Sequence, residues 1–344
     1  MLRYVIRRIL QAIPLMFIIS IVLFALLYNI GDPLAMMGGR NPTRAEDRER
    51  LARQLGLDQP LTTQYIYWLI GNDWTLIDVN GDGIADTPGR RQGVLRGDFG
   101  TSIVTRGKPV LDIIMERVPN TLILMIPAQI VILLFGMLVG LYSALRQYSW
   151  LDNTLTTLSF VGFSMPIFLI ALFNVYFFAI LFQRWGLPSL PANGMFDPQV
   201  GKTTAQVAKH MILPVLSIAF IDIARYGRYI RSTMLEVINQ DYIRTAKAKG
   251  LRRFTIVLVH ALRNASLPIV TLVGLDLPLL LAGAVVTERI FAWPGMGRLF
   301  LDHLQRGDGP VVMGILVLLA GAVILFQILT DIAYAALDPR IRYD

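Results

Sequence analysis

Six segments of this chain are each apolar over a length that crosses a bilayer, and that constraint outranks every other feature of the sequence. They run Ile9–Ile30, Asn120–Leu145, Leu155–Phe182, Met211–Tyr229, Leu267–Val286 and Val311–Ala335. About 20 apolar residues are enough to span the hydrocarbon layer as a helix. Inside that layer each backbone polar group needs an internal partner, so the expected fold is an all-α integral membrane protein with six transmembrane helices. The composition agrees, with 54% hydrophobic and 16% charged residues, where an ordinary soluble domain carries about 25% charged. The first run follows Arg3, Arg7 and Arg8. It is too long for a signal peptide and is followed by Gly31-Asp32-Pro33 rather than a small-residue cleavage site, so it reads as a retained first helix. The absence of cysteine excludes disulfides, thiolate metal sites and cysteine nucleophiles.

The formal charge of +8 invites a nucleic-acid reading until the charges are placed. With the N-terminus in the cytoplasm, six crossings return the C-terminus there. The cytoplasmic pieces then hold fifteen basic residues against five acidic ones. Such an excess of Lys and Arg beside the spans is what orients a membrane protein. The basic balance therefore marks the inner face, and no nucleic-acid partner follows from it. Pro127, Pro166, Pro214, Pro268 and Pro278 interrupt the spans, which a bundle tolerates when neighbours satisfy the freed backbone groups. Gly136, Gly140, Gly274, Gly283 and Gly321 allow close helix approach.

The longest cytoplasmic stretch, Arg225–Asn264, is too organised for a plain connector. Asp241 is positioned to cap a short helix through Tyr242–Lys249, and Gly250 suits a left-handed end. Thr245, Ala246 and Ala248 are small, so a partner surface has room to approach, while Arg244, Lys247, Lys249, Arg252 and Arg253 surround them with positive charge. A basic interfacial helix on anionic lipid headgroups has the same composition. Physics alone leaves both open.

The string DYIRTAKAKG followed by HALRNASLP resembles the coupling loop of membrane subunits in the peptide and nickel branch of ATP-binding-cassette (ABC) importers. Against the general Glu-Ala-Ala-x-x-x-Gly motif of ABC importer membrane subunits, Arg244 and Thr245 replace the Glu and first Ala, while Ala246 and Gly250 match. Three further stretches are similar to that branch: the opening MLRYVIRRIL through Gly31–Pro33, VVTERIFAWPGMG at Val285–Gly297, and LDPRIRY at Leu337–Tyr343. The resemblance implies type I ABC importer architecture with a large extracytoplasmic loop between helices 1 and 2. It implies a pathway for di- or oligopeptides, formed with a second homologous permease subunit. Two cytoplasmic ATPases would dock at residues 241–250, with Asp241, Arg244, Thr245, Ala246, Lys247, Ala248 and Gly250 at the contact. An extracytoplasmic binding protein would deliver substrate to a bacterial or archaeal cytoplasmic membrane. The chain has no Gly-x-x-x-x-Gly-Lys-Ser/Thr loop, so ATP and Mg2+ belong to partners and the chain itself is not an enzyme.

Asp222, Asp276 and Asp331 lie in or near apolar spans, where an ionised group is expensive and usually functional. Asp276 sits mid-span beside Pro278; it either faces a water-filled pathway and attracts a cationic group, or pairs with a basic residue or hydroxyl on another helix. Asp222 precedes Arg225 by three residues, which favours an intrahelical pair. Asp331 has Arg340 and Arg342 as candidate partners. Met165 and Phe168 are candidate pathway residues, although such side chains on a helix more often pack. His210, His260 and His303 show no metal-ligand spacing.

The loop Gly31–Val118 is long enough to fold as a cap. Arg44–Gly56, Leu61–Ile70 and Lys108–Arg117 read as its helices. Its insert, 71–96, contains Asp78, Asn80 and Asp82 at positions 1, 3 and 5 of a calcium loop. Gly83 falls at 6, Ile84 at 7 and Asp86 at 9. Position 12 is Gly89 where a Glu is required, so the pattern resembles the short calcium loops of cellulosome docking modules. A structural Ca2+ is expected, with a bare Asp/Asn/Gly turn as the alternative. The chain thus divides into 1–30 (N-terminus and first span), 31–118 (cap) and 119–344 (five-helix core with the coupling loop at 236–264). The principal reading is a peptide-class ABC importer permease. A nickel importer of the same family, or a membrane enzyme, sensor or channel, stands as the alternative.

Overall fold

A span in lipid closes its hydrogen bonds within itself, and helices accordingly make up nearly all the regular structure. The computed structural model describes residues 2–28, 50, 52–53, 56–79, 81–105 and 107–337. Among these, six helical stretches are long and apolar enough to cross a membrane: Ile6–Leu27, Val110–Leu145, Ile167–Arg184, Thr204–Ile238, Pro268–Ile290 and Gly309–Ala333. We label the elements α1 (Leu2–Tyr28), α2 (Leu61–Ile70), β1 (Leu76–Ile77), β2 (Thr87–Pro88), α3 (Val110–Leu145), α4 (Trp150–Ser164), α5 (Ile167–Asn174), α6 (Thr204–Ile238), α7 (Asp241–Ala248), α8 (Leu262–Ala282), α9 (Val285–Ile290), α10 (Met296–Gln305) and α11 (Gly309–Leu337). Two π-helical stretches, Val175–Leu181 after α5 and Ile256–Ala261 before α8, continue their helices. Such insertions frequently mark functional sites.

The expected third span, Leu155–Phe182, is two helices broken at Met165-Pro166. Pro166 forces its predecessor out of the helical region, and Met165 is extended at φ −84°, ψ 130°. The crossing segment therefore starts at Ile167. The helix read at Lys108–Arg117 begins at Val110 and is the first part of α3, because Pro119 and Pro127 are carried inside it without a break. Leu61–Ile70 is helical as read. Most of Arg44–Gly56, the Leu337–Tyr343 ending beyond its first residue, and Arg340 and Arg342 lie outside the described residues.

The chain forms two units. The first comprises Pro119–Arg298 with Met1–Val5 and Val323–Asp344. Its apolar core joins Leu124, Ala128 and Ile132 of α3, Tyr226, Ile230 and Met234 of α6, and Ile243 and Ala246 of α7. Small residues bring α3 and α6 together: a Cβ on Gly140 would lie 2.7 Å from the Gly227 carbonyl oxygen and 2.7 Å from Ile230 Cβ. Gly136 meets Tyr226 in the same way, and Gly274 of α8 lies against Thr330 of α11. Gly321, expected in such a role, has open space around it. Glu288 of α9 is fully buried. Its carboxylate accepts from Thr121 Oγ1 at 3.2 Å and from the Arg298 N–H at 2.9 Å, and Gly283, Gly295 and Gly297 leave room for this turn.

The second unit comprises Ile6–Val118 and Leu299–Ala322. Phe24 of α1 packs edge-on against Tyr65 of α2 at 5.4 Å, and the Ser20 and Tyr65 hydroxyls meet at 2.8 Å. β1 and β2 pair antiparallel, Leu76 opposite Pro88. Asp308, fully buried before α11, gathers one fold element after another: it accepts from Ser102 Oγ at 2.5 Å, from the Ile103 and Val104 N–H groups at 3.2 Å each, and contacts His303 Nδ1 at 2.9 Å.

Two tests follow from this packing. Gly140→Val drives a side chain into the α6 backbone, and overpacking of this kind costs roughly 1–3 kcal/mol; thermal unfolding of the detergent-solubilised chain should move down accordingly, whereas Gly321→Val should leave it unchanged. Burial opposes ionisation of Asp308, but His303, Ser102 and the two backbone donors hold its carboxyl below the ordinary value. A depressed folded pKa stabilises above the ordinary carboxylate value of about 3.9 and loses that contribution as pH falls through the folded one. Asp308→Asn should therefore destabilise at neutral pH and show a shallower loss of melting temperature below about pH 4 than the natural chain.

Candidate functional site

Two places in the first unit combine charge with position: a buried ion cluster between α6 and α8, and the short helix α7. Asp276, 7% exposed, is not free. Arg225 of α6 reaches both its oxygens, Nη2 to Oδ2 at 2.6 Å and Nη1 to Oδ1 at 3.2 Å, and the Tyr226 hydroxyl donates to Oδ2 at 2.6 Å. Gln129 of α3 donates in turn to the Tyr226 oxygen at 3.0 Å. Arg225 Nε also donates to Asp222 Oδ1 at 3.0 Å, the i,i+3 pair that the spacing suggested. The cluster therefore sets two carboxylates against one guanidinium and ties α3, α6 and α8 into one network. Of the two alternatives for Asp276, the structure has the interhelical pair.

Further along α6 the basic residues continue as fasteners. Arg231 donates to Asp152 Oδ2 at 3.1 Å, and Arg228 stands over Phe163 at 4.9 Å and Phe160 at 5.5 Å, all on α4. Burial opposes ionisation of Asp152, yet the Tyr148 N–H and Arg231 hold its carboxyl below the usual range. Met165 lies at the α4–α5 break, and Phe168 is 46% exposed on α5; neither meets the ion cluster through a hydrogen bond.

The helix α7 starts one residue earlier than the capping argument implied. Gln240 is its N-cap, and Asp241, in the first turn, pairs on the surface with Arg244 at 3.4 Å. Gly250 takes the left-handed conformation expected of it, φ +74°. Ile243 and Ala246, one helical turn apart, are buried in the core alongside Ile256, Val257 and Ala261 of the π-helical stretch. Arg244, Thr245, Lys247, Ala248, Lys249 and Gly250 are exposed. Ala246 thus turns inward as an anchor, and the outward small residues are Thr245 and Ala248. A cavity of about 450 Å3 lies beneath the helix, lined by Leu145, Ile243, Lys247, Arg253 and Val257 among others.

The calcium reading gains no support. Asp78 accepts from the Gly81 N–H at 2.6 Å and the Gly83 N–H at 2.8 Å, Asp82 from the Ile84 N–H at 2.8 Å, and Asp86 from the Thr87 hydroxyl at 3.0 Å. Among the described residues no three Asp, Glu, His or Cys side chains gather as a metal site; Asn80 lies outside them. Between β1 and β2, Asp78 and Asp82 thus accept from backbone N–H groups of their own turn, while Asp86 accepts from a side-chain hydroxyl. Sequence reasoning missed Glu288, Asp308 and Arg225 as hubs. Gly283, Gly295 and Gly297 around Glu288 were the available signal.

Among the described residues, six helices of spanning length with an exposed basic helix anchored into their core define a multi-pass membrane protein. Residues 136–343 match the family described as binding-protein-dependent transport system inner membrane component, and residues 1–125 match the N-terminal model of such membrane components. The chain belongs to this family, the membrane-spanning permeases of ABC importers. It is similar to the oligopeptide transport system permease protein AppB of Bacillus subtilis, 38% identical over the full length of both chains. The dipeptide transport system permease protein DppB of Escherichia coli K12 is 37% identical, covering 100% of this chain and 99% of its own. The glutathione transport system permease protein GsiC of Shigella flexneri is 34% identical over the whole of both. Membership implies ATPase subunits and a solute-binding protein as partners. The chain is a permease subunit and no enzyme, and ATP with its Mg2+ acts on the ATPases.

Removing Arg225 while leaving Asp276 in place strands a buried carboxylate, and an unmet buried acceptor costs on the order of 1–3 kcal/mol. Arg225→Gln should therefore lower the melting temperature more than Arg225→Gln with Asp276→Asn together, and a double-mutant cycle in detergent measures the coupling.

Proposed function

We propose that this chain forms half of a peptide translocation pathway, paired with a second similar permease subunit and driven by two ATPases that grip α7. The observation that carries the coupling is the two-sidedness of α7: Ile243 and Ala246 are fastened into the bundle core while Arg244, Thr245, Lys247 and Ala248 stand outside it. A lever must be rigidly held on one side and reachable on the other. When ATP closes the ATPase dimer, the outer face of α7 moves with it. The ridge of Ile243 and Ala246 passes the displacement to Met234 of α6 and to the π-helical stretch leading into α8. Those two helices also carry Arg225 and Asp276, so the ion cluster lies on the moving parts. Alternating access is the resulting cycle.

Peptides as cargo are supported by the names of the AppB and DppB relatives. Nickel is the weaker alternative, since the relatives reported above are named for peptides or glutathione. The lining is expected to include Met165, Phe168 and the uncharged surroundings of Asp276. With its carboxylate already engaged, Asp276 orients the pathway helices more than it binds cargo directly. The distribution of Lys and Arg supports cytoplasmic termini; residues 31–118 then form an extracytoplasmic cap that meets the solute-binding protein.

Ala248→Trp places bulk on the exposed face of α7 without touching the core. Membrane insertion and thermal stability should match the natural chain, while co-purification of the ATPase and substrate-stimulated ATP hydrolysis fall about tenfold or more, as expected at an interface centre. Ala246→Trp should instead destabilise the chain itself. Normal uptake by the Ala248 variant, scored in reconstituted vesicles with a radiolabelled dipeptide, would contradict docking at this helix.

A further inference from the structure

The second unit carries an open-sided cavity that the proposed coupling does not involve. It measures about 140 Å3 and is walled by Phe24 and Leu27 of α1, Tyr67 and Trp68 of α2, Phe99, and Met313 of α11. Its depth is set by the spans. Phe24 and Leu27 close the crossing segment Ile6–Leu27, and Gly309 and Pro310, which also line it, open the segment Gly309–Ala333. The cavity therefore lies where two helices pass between hydrocarbon and headgroups, the level at which Trp and Tyr collect.

Among the described lining residues, Arg91 is the cation set against the apolar wall. Arg91 is fixed by its main chain: its N–H donates to Asn72 Oδ1 at 2.9 Å, and its carbonyl oxygen accepts from the Asn72 N–H at 2.9 Å. The residue is half-buried, and its guanidinium makes no hydrogen bond or salt bridge among the described residues. The neighbouring arginine behaves otherwise, since Arg96 forks onto Asp73 with two contacts of 2.6 Å. Burial pulls the Arg91 pKa below its ordinary value, and the charge of Asp98 only offsets part of that. Asp98, on the same wall, uses each oxygen once, on the Gln92 and Gly100 N–H groups at 2.9 Å each. A carboxylate has about four acceptor positions, so it can still receive an ammonium. Gln64, 6% exposed on the same wall, spends its amide N–H groups on the Leu57 and Gln59 carbonyls.

A planar guanidinium with five donors and no acceptor suits a phosphate, which it binds through two parallel hydrogen bonds. An arginine beside a carboxylate fits a headgroup carrying both charges. The aromatic wall fits the first segment of an acyl chain. We propose that this cavity is a structural site for a zwitterionic aminophospholipid, with the phosphodiester on Arg91, the ammonium on Asp98 and an acyl chain against Phe24, Trp68 and Phe99. The lipid fastens α1, α2 and the start of α11 where the chain's own side chains leave a gap. A free zwitterionic peptide carries the same pair of charges, but the mostly apolar wall and the position at the ends of two spans favour lipid.

The test is native mass spectrometry of the permease, purified with its partner subunits from nanodiscs of equal phosphatidylethanolamine and phosphatidylglycerol. The natural chain should keep phosphatidylethanolamine through delipidation. Arg91→Gln should lose it about tenfold, the effect of one charge-assisted contact. Arg91→Lys should lose part of it, and Met313→Trp, which fills the cavity while leaving the arginine in place, should lose it too. Retention of the lipid by both Arg91→Gln and Met313→Trp overturns the proposal. So does equal retention of the two headgroups, saturation of the site by inorganic phosphate alone, or displacement of the lipid by dialanine, which would assign the cavity to free anions or to peptide.

Discussion

A carboxylate between membrane spans is tolerated only when its charge and its lone pairs are met inside the protein, and the contact of Arg225 with Asp276 is where this chain meets that demand. Its consequences spread outward. The pair crosses 51 residues of sequence to join α6 to α8, and Tyr226 and Gln129 extend it to α3. Close approach of α3 and α6 at Gly136, Gly140 and Gly227 brings these groups within reach. Glycines and ions are therefore parts of one arrangement: without the small residues the helices stand too far apart for the network, and without the network the buried acid is unsatisfied.

The same helix serves two further purposes. Arg228 and Arg231 fasten α4 through its aromatic rings and Asp152. Met234 then shares the core with Ile243 and Ala246 of α7. In the proposed coupling, a push on α7 arrives at the lower part of α6 through this shared core, and α6 carries it to the ion cluster. The π-helical stretch Ile256–Ala261 receives the other side of α7 and passes into α8. Transport by alternating access needs a connection of this kind, in which the element outside the membrane and the charged contact within it share rigid helices.

How much of this was legible in the sequence depends on range. Local signals read well: Gly250 marks the end of α7, Leu61–Ile70 is a helix, and Asp222 pairs with Arg225 three residues on. The break before Pro166 was also written locally, but hydropathy over Leu155–Phe182 hides it, because apolar residues continue across the turn. Non-local outcomes were not readable. Nothing near Asp276 in sequence identifies Arg225 as its partner. The inward turn of Ala246 was suppressed by its size, since a small residue suits a docking face and a packed core equally, and only its spacing from Ile243 distinguishes them. The Asp78–Asp86 stretch is a different case. Its spacing matched a cation loop, and the structure shows its first carboxylate, Asp78, accepting from the Gly81 and Gly83 N–H groups of its own turn.

The coupling claim has a direct measurement, made clean by a chain that has no cysteine of its own. A single cysteine introduced at Thr245, on the exposed face of α7, is treated with a short thiol cross-linker in membranes containing the ATPase subunits with a cysteine on their membrane-facing groove. The account expects a cross-linked permease–ATPase band from Thr245→Cys whose yield changes when ATP is added, and none from Ile243→Cys, whose side chain is buried in the core. No band from Thr245→Cys, or equal bands from both positions, would contradict it.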